Sequence, residues 1–328
     1  MSGMGLGGSG GFALVVLHGL TLAALLSAFG SLFFLGFVAP GTAEREAGRV
    51  CAAVSRKSLL FAIVLGLAWL FAESKFIAGA TGFGQTVAAV PVVVRVTTFG
   101  QVCVAQCLAL VAAFFVLARE RSRPDRGRDG RRAGVAAVLA GLATALEAWH
   151  LHGAAMHAGL SPILISELFH VLAAGAWLGG LLPLALFVRA VPPEMGAVAA
   201  RRFSAAATVC VVVLAVTAFW QGCRLVGSVS ALFGTLYGWV ALVKLGLFAA
   251  LLVFAARHRL ELTPRLSGAE PMVARVVAKE RLARSIFAEM VLGLAIVLVA
   301  ALIASLAPPA DMRMATGRAH AAHSVVPG

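Results

Sequence analysis

Runs of about 18 or more predominantly apolar residues recur along this chain, and each can cross a hydrocarbon core of roughly 30 Å at about 1.5 Å per residue. Lipid offers no hydrogen-bond partners, so such runs are restricted to helices whose backbone groups are satisfied within the segment. The composition agrees: 61% of the 328 residues are hydrophobic and 12% charged, which excludes a soluble enzyme built around one buried core. The expected fold class is therefore all-α and polytopic, with spans at about 12–38, 58–79, 97–118, 133–151, 163–189, 203–225, 235–257 and 282–306. The run VAAVPVVV at 87–94 is too short to span and reads as a re-entrant or surface piece, with Pro91 arguing against a regular helix. The first apolar run reaches Val38 without a preceding Lys or Arg, so it is expected to be a retained helix rather than a secretory signal.

The net charge of +13 raises the question of nucleic acid. However, 21 of the 27 Lys and Arg residues fall in alternate connections between spans, as membrane orientation requires, so no nucleic-acid role is expected. The basic connections are retained on the cytoplasmic side, and both termini are expected to face outward. The five cysteines, at 51, 103, 107, 210 and 223, form no CxxC pair and no disulfide framework.

An internal repeat emerges when TTFGQVCVAQCLALVAAFFVLARER from Thr97 is set against TLYGWVALVKLGLFAALLVFAARHR from Thr235. Thr97 then coincides with Thr235, Gly100 with Gly238, and Arg119 with Arg257. The first span echoes the fifth, each carrying a His followed nine residues later by small residues. Two parallel four-helix repeats are expected, 1–155 and 156–309, followed by a tail at 310–328, with a binding site between the halves.

An ionisable side chain inside a membrane span is a functional hypothesis by default. His18 and His170 occupy matching places in the two halves and read either as metal ligands or as imidazoles bonded to a neighbouring helix. Glu167 shares a helical face with His170, where it orients the ring, binds a cation, or meets water at the interface. The outward connection EAWHLHGAAMHAGLSP gathers His150, His152, Met156 and His157. Imidazole with thioether points first to copper, since thioether is a soft ligand that favours Cu(I). The tail adds Met312, Met314, His320 and His323, which suit a metal relay or a disordered end equally. Cys103 and Cys107 lie one turn apart and read mainly as packing. Lys244 sits within a span, where it snorkels, pairs with a carboxylate or attracts an anion. Glu289 lies at another depth and is not paired with Lys244. His258, between Arg257 and Arg259, reads as an interfacial residue, and the tryptophans, Trp69 included, as interface or packing residues.

With these residues in view, the chain resembles the CopD family of bacterial inner-membrane copper-resistance proteins. The most specific piece is ELFHVLAAGAWLGGLLPLALFVR from Glu167 to Arg189, with its acidic residue, His and WLGG element. RRFS at 201–204, the Lys244 helix, and the helix from Glu289 ending in APP at 307–309 follow in order. The likeness spans about 160–310 and is looser before it. It implies copper handling at the bacterial inner membrane, commonly regarded as uptake from the periplasm, alongside a separate CopC-like periplasmic copper-binding protein. It carries His170 and Glu167 most directly, then Lys244 and Glu289. At the end of the fourth span, HLHGAAMHAG stands where the family has a Gly-His-Ala element, so His152 or His157 takes that place.

The expected function is copper transport from periplasm toward cytoplasm through a His-containing site. The alternative is a membrane redox protein, a metal reductase with His18 and His170 as axial ligands of haem b. A third reading is an assembly subunit that docks a periplasmic chaperone. No phosphate-binding loop and no nucleophile with a matched base are visible, so no catalytic residue is named and a transporter is expected rather than an enzyme.

Overall fold

The computed structural model of the protein describes residues 9–39, 45–118, 126–151, 161–267 and 271–310. Among them there are helices and turns but no strand. Eight helical segments have the length and apolarity to cross a membrane: Gly11–Val38, Ala47–Ile77, Thr98–Ala118, Gly130–His150, Pro162–Ala190, Pro193–Leu225, Leu236–Leu266 and Met272–Ser305. This is an all-α multi-pass membrane protein.

In chain order the elements are α1 (Ser9–Phe33, continuing as a π-helical turn Phe34–Val38), α2 (Arg45–Ile77), α3 (Phe83–Val96), α4 (Thr98–Ala118), α5 (Arg126–Ala145), α6 (Glu147–Leu151) and α7 (Pro162–Leu178). They continue with α8 (Leu181–Ala190), α9 (Pro193–Leu225), α10 (Val229–Gly234), α11 (Leu236–Arg257, continuing as a π-helical turn His258–Leu262), α12 (Thr263–Ser267) and α13 (Met272–Ser305). The second, sixth and eighth spans start about ten residues earlier than their apolar runs. Those extensions are rich in Ala, Arg, Glu and Lys, which favour helix outside lipid as well.

The segment around Pro91 is too short to span, as expected, but it corrects the expectation that Pro91 prevents a regular helix. It is helical from Phe83 to Val96 with Pro91 inside. The lost Pro N–H is tolerated because the helix turns Thr86 and Val93 onto α2 and α4, while Phe83, Val92 and Val96 remain exposed.

The α3–α4 corner is built by Thr97, whose Oγ1 donates to the Val93 carbonyl at 2.7 Å and accepts from the Gly100 N–H at 3.0 Å. The α10–α11 corner is the same construction: Thr235 Oγ1 donates to Ala231 O at 2.7 Å and accepts from Gly238 N at 3.1 Å. Glycine is required at both corners, because a Cβ on Gly100 would stand 2.6 Å from the Val93 oxygen and one on Gly238 would collide with the Leu232 carbonyl.

Close approach of α1 to α7 fixes the middle of the molecule. A Cβ on Gly30 would strike Gly175 O and Gly179, and one on Gly179 would strike the Leu26 carbonyl. Without a hydrophobic drive between helices in lipid, such small-residue contacts hold a bundle together by packing. The WLGG element is thus a crossing point, and Gly179–Gly180 also break the fifth span into α7 and α8. Two apolar clusters flank the crossing. One gathers Trp177, Phe187, Phe203 and Leu282 around the end of α1; the other packs an Ala136–Ala137–Ala140–Ala143 stripe of α5 against Leu25, Leu32, Leu59 and Leu110.

Candidate metal site

Four helices deliver polar groups to one buried point. α1 brings His18, α2 brings Trp69 and Glu73 one turn apart, α4 brings Cys103 and Gln106 three residues apart, and α6 brings Glu147 and His150 three residues apart. Spacings of three and four put each pair on one helical face. Glu147 is the hub at 2% side-chain exposure: Oε1 lies 2.8 Å from His18 Nε2 and Oε2 lies 3.2 Å from His150 Nδ1. Gln106 Nε2 donates to Oε2 at 3.1 Å and to the Ala143 carbonyl at 3.1 Å.

Trp69 is the floor of this site. The His18 ring stacks on it at 4.4 Å and 11°, while His150 meets it edge-on at 4.8 Å and 80°. Phe99 closes against both Trp69 and His150. Trp69 is thus a packing residue, as expected, and the surface it packs is a wall of the polar site. Cys103 is buried in the same apolar cluster, with its Sγ 3.7 Å from His150 Nε2. An N and an S that share one metal ion at ~2.0 and ~2.3 Å are about 3.5 Å apart at a tetrahedral angle. Glu73, 5% exposed, lies within electrostatic reach of both imidazoles.

His170 has different partners. Its Nδ1 lies 2.8 Å from Thr217 Oγ1, and that hydroxyl already donates to the Val213 carbonyl at 2.7 Å. The ring therefore donates from Nδ1, which leaves the Nε2 lone pair available. Glu167 does not orient the imidazole. It is buried, bonded to Gln221, and within electrostatic reach of Lys244 and of Glu147. Gln221 also donates to Ser166 Oγ at 3.3 Å. Lys244 lies within electrostatic reach of Glu167 and His170, and the two polar groups adjoin across the line between α6 and α7. Glu289 Oε1 stands 2.8 Å from His258 Nδ1.

His152, Met156, His157, Met312, Met314, His320 and His323 lie outside the described residues. Sequence reasoning missed Glu147, Gln106 and Glu73. The signal for the first was a Glu three residues before His150 at the end of an apolar run. His18 Nε2 turns to Glu147 and His170 Nδ1 to Thr217, so the two imidazoles have different partners and the arrangement lends haem no support. Among the described residues no group of three or more His, Cys, Asp or Glu side chains stands placed to hold a metal ion. The arrangement is a set of nitrogen, sulfur and carboxylate donors held apart by hydrogen bonds.

Comparisons with known proteins agree over both parts of the chain. Residues 9–163 match the family described as copper resistance protein D-like, N-terminal domain, and residues 197–303 match copper resistance protein D. A copper transport protein, CutJ, from Bacillus subtilis (strain 168) is 29% identical over 152 residues. That match covers 45% of this chain and 26% of the relative, about a quarter of its length. No solved structure matches.

Proposed function

Because the chain belongs to the copper resistance protein D family, we propose that it carries copper across the bacterial inner membrane, from periplasm toward cytoplasm, and that copper lodges between His18, His150, Glu147 and Cys103. The observation that carries this reading is the buried Glu147 hub, which holds two imidazoles beside a thiol in a span where ionisable groups are costly. Copper takes imidazole and thiolate ligands readily, and entry of the ion replaces the protons that now bridge nitrogen to carboxylate. A donor set that is not closed suits cargo that must leave again.

The two halves are read as four-helix repeats, 1–155 and 156–309, with both termini periplasmic. Gln106 and Lys244 then correspond, each nine residues after the corner threonine. The first half sets a neutral amide against Glu147, and the second sets a resident ammonium near Glu167. The first half is therefore the one that accepts an incoming cation. His170, with its free Nε2, is the next station, across the line between the halves at a similar depth. His152, Met156 and His157, with Met312, Met314, His320 and His323 of the tail, collect copper outside, where a separate CopC-like protein delivers it.

Copper uptake into proteoliposomes tests this. Glu147→Gln preserves the shape of the hub and removes its charge, and the expected result is at least a tenfold loss of uptake with the protein still folded. Unchanged uptake in that variant overturns the reading.

A further inference from the structure

A further ionisable pair lies at the basic end of the bundle. His258 opens the π-helical turn that follows α11, about 21 Å along the helix from Lys244 at 1.5 Å per residue. Its Nδ1 stands 2.8 Å from Oε1 of Glu289 on α13, with side-chain exposures of 12% and 2%. The approach is short but not aligned as a hydrogen bond. Among the described residues His258 Nε2 and Glu289 Oε1 are both buried atoms without a hydrogen-bond partner. Buried polar atoms left in this state ask what completes them, a missing ion, water or proton.

The donor set narrows the answer. No third His, Cys, Asp or Glu joins the pair among the described residues, which leaves a metal ion two ligands. A proton needs no more than an imidazole and a carboxylate. Neighbouring charges have other attachments. Arg257 pairs with Glu261, Arg259 donates to Thr208 of α9, and Arg189 of α8 pairs with Glu280. Lys279 binds the Arg189 and Val191 carbonyls, Arg284 the Glu280 carbonyl, and Arg265 of α12 is exposed. π-Helical turns within long helices often accompany function.

We propose that His258 and Glu289 form an inner proton site, which takes up and releases one proton as copper passes. The proposal rests on the copper-transport reading for its coupling, but the proton site itself does not. Uptake forms an N–H bond at Nε2 of His258 with a proton that enters from the side opposite the basic end, giving an imidazolium beside the Glu289 carboxylate. Release breaks that bond and passes the proton to water at the basic end of the bundle; no electron moves, and the pair returns to its starting state. A proton released at the basic end moves in the same direction as the incoming copper, so a proton gradient helps to drive the cation inward without a phosphate-binding loop.

The test uses the full chain in proteoliposomes with a trapped pH dye, supplied with copper outside. Wild type is expected to move protons in step with copper. Glu289→Gln and His258→Gln are expected to keep the bound copper of wild type, lose the proton signal and slow copper entry at least tenfold. Copper entry without proton movement in wild type, or a full proton signal in both variants, overturns the proposal. Infrared difference spectra between acid and alkaline pH judge the site even if no copper moves, an outcome that would instead sink the transport reading. A carboxylate or imidazole band lost in Glu289→Gln supports the proton site, and an identical spectrum overturns it.

Discussion

Glu147 is the side chain on which the account turns, because both of its oxygens are engaged by imidazoles and one also by an amide. Glu147→Ala strands two buried imidazoles and Gln106, and a loss of about 3 kcal/mol or more is expected, visible as a lowered Tm in detergent. Gln106→Lys places in the first half the ammonium that the second half carries at Lys244. Copper binding is expected to fall at least tenfold with little change in Tm, and retained copper in a folded Gln106→Lys protein would show that the resident-cation argument is mistaken. The sequence made His18, His150, His170, Glu167 and Lys244 visible as polar residues in apolar surroundings. It could not make Trp69, Cys103 and Gln106 visible as neighbours, because that convergence depends on which faces of α2 and α4 turn toward α1. Nothing in a row of apolar residues marks the face on which a single amide or thiol will matter.

The spans themselves were legible to within a few residues at their outer ends, since apolar length alone dictates them. The basic ends of the second, sixth, seventh and eighth spans were not, because helix continues past the lipid wherever propensity favours it. Pro91 illustrates the same limit. It is accommodated in a helix whose packing against α2 and α4 outweighs the lost N–H. WLGG was legible as a motif, while its physical role, the close crossing of α1 and α7, needed the positions of Leu26 and Gly30. Gly179→Ala drives a methyl group into the Leu26 carbonyl, and a loss of about 3 kcal/mol is expected. Gly84→Ala on α3 meets nothing within 4 Å and should be neutral or slightly stabilising. Paired thermal melts of the two variants check this, and equal melting temperatures would remove the crossing from the account.

Across the whole molecule, polar groups run from the His18–Glu147–His150 hub, past Glu167 and Lys244, to His258 and Glu289 at the basic end. The direction of that line in the membrane follows from the distribution of Lys and Arg. Single cysteines at Ser2→Cys, Ser122→Cys and Ala322→Cys, in a background lacking the native five, are expected to react with an impermeant reagent from the periplasmic side at the first and last only. Labelling of Ser122→Cys from outside would reverse the orientation.

The central claim is that copper sits in the first set of helices. Metal analysis of the detergent-purified protein after exposure to copper tests it most directly, in wild type, His18→Ala/His150→Ala and His170→Ala. About one copper per chain is expected in wild type, retained in His170→Ala and lost in the double variant; copper that persists in the double variant, or disappears with His170 alone, would place the metal elsewhere.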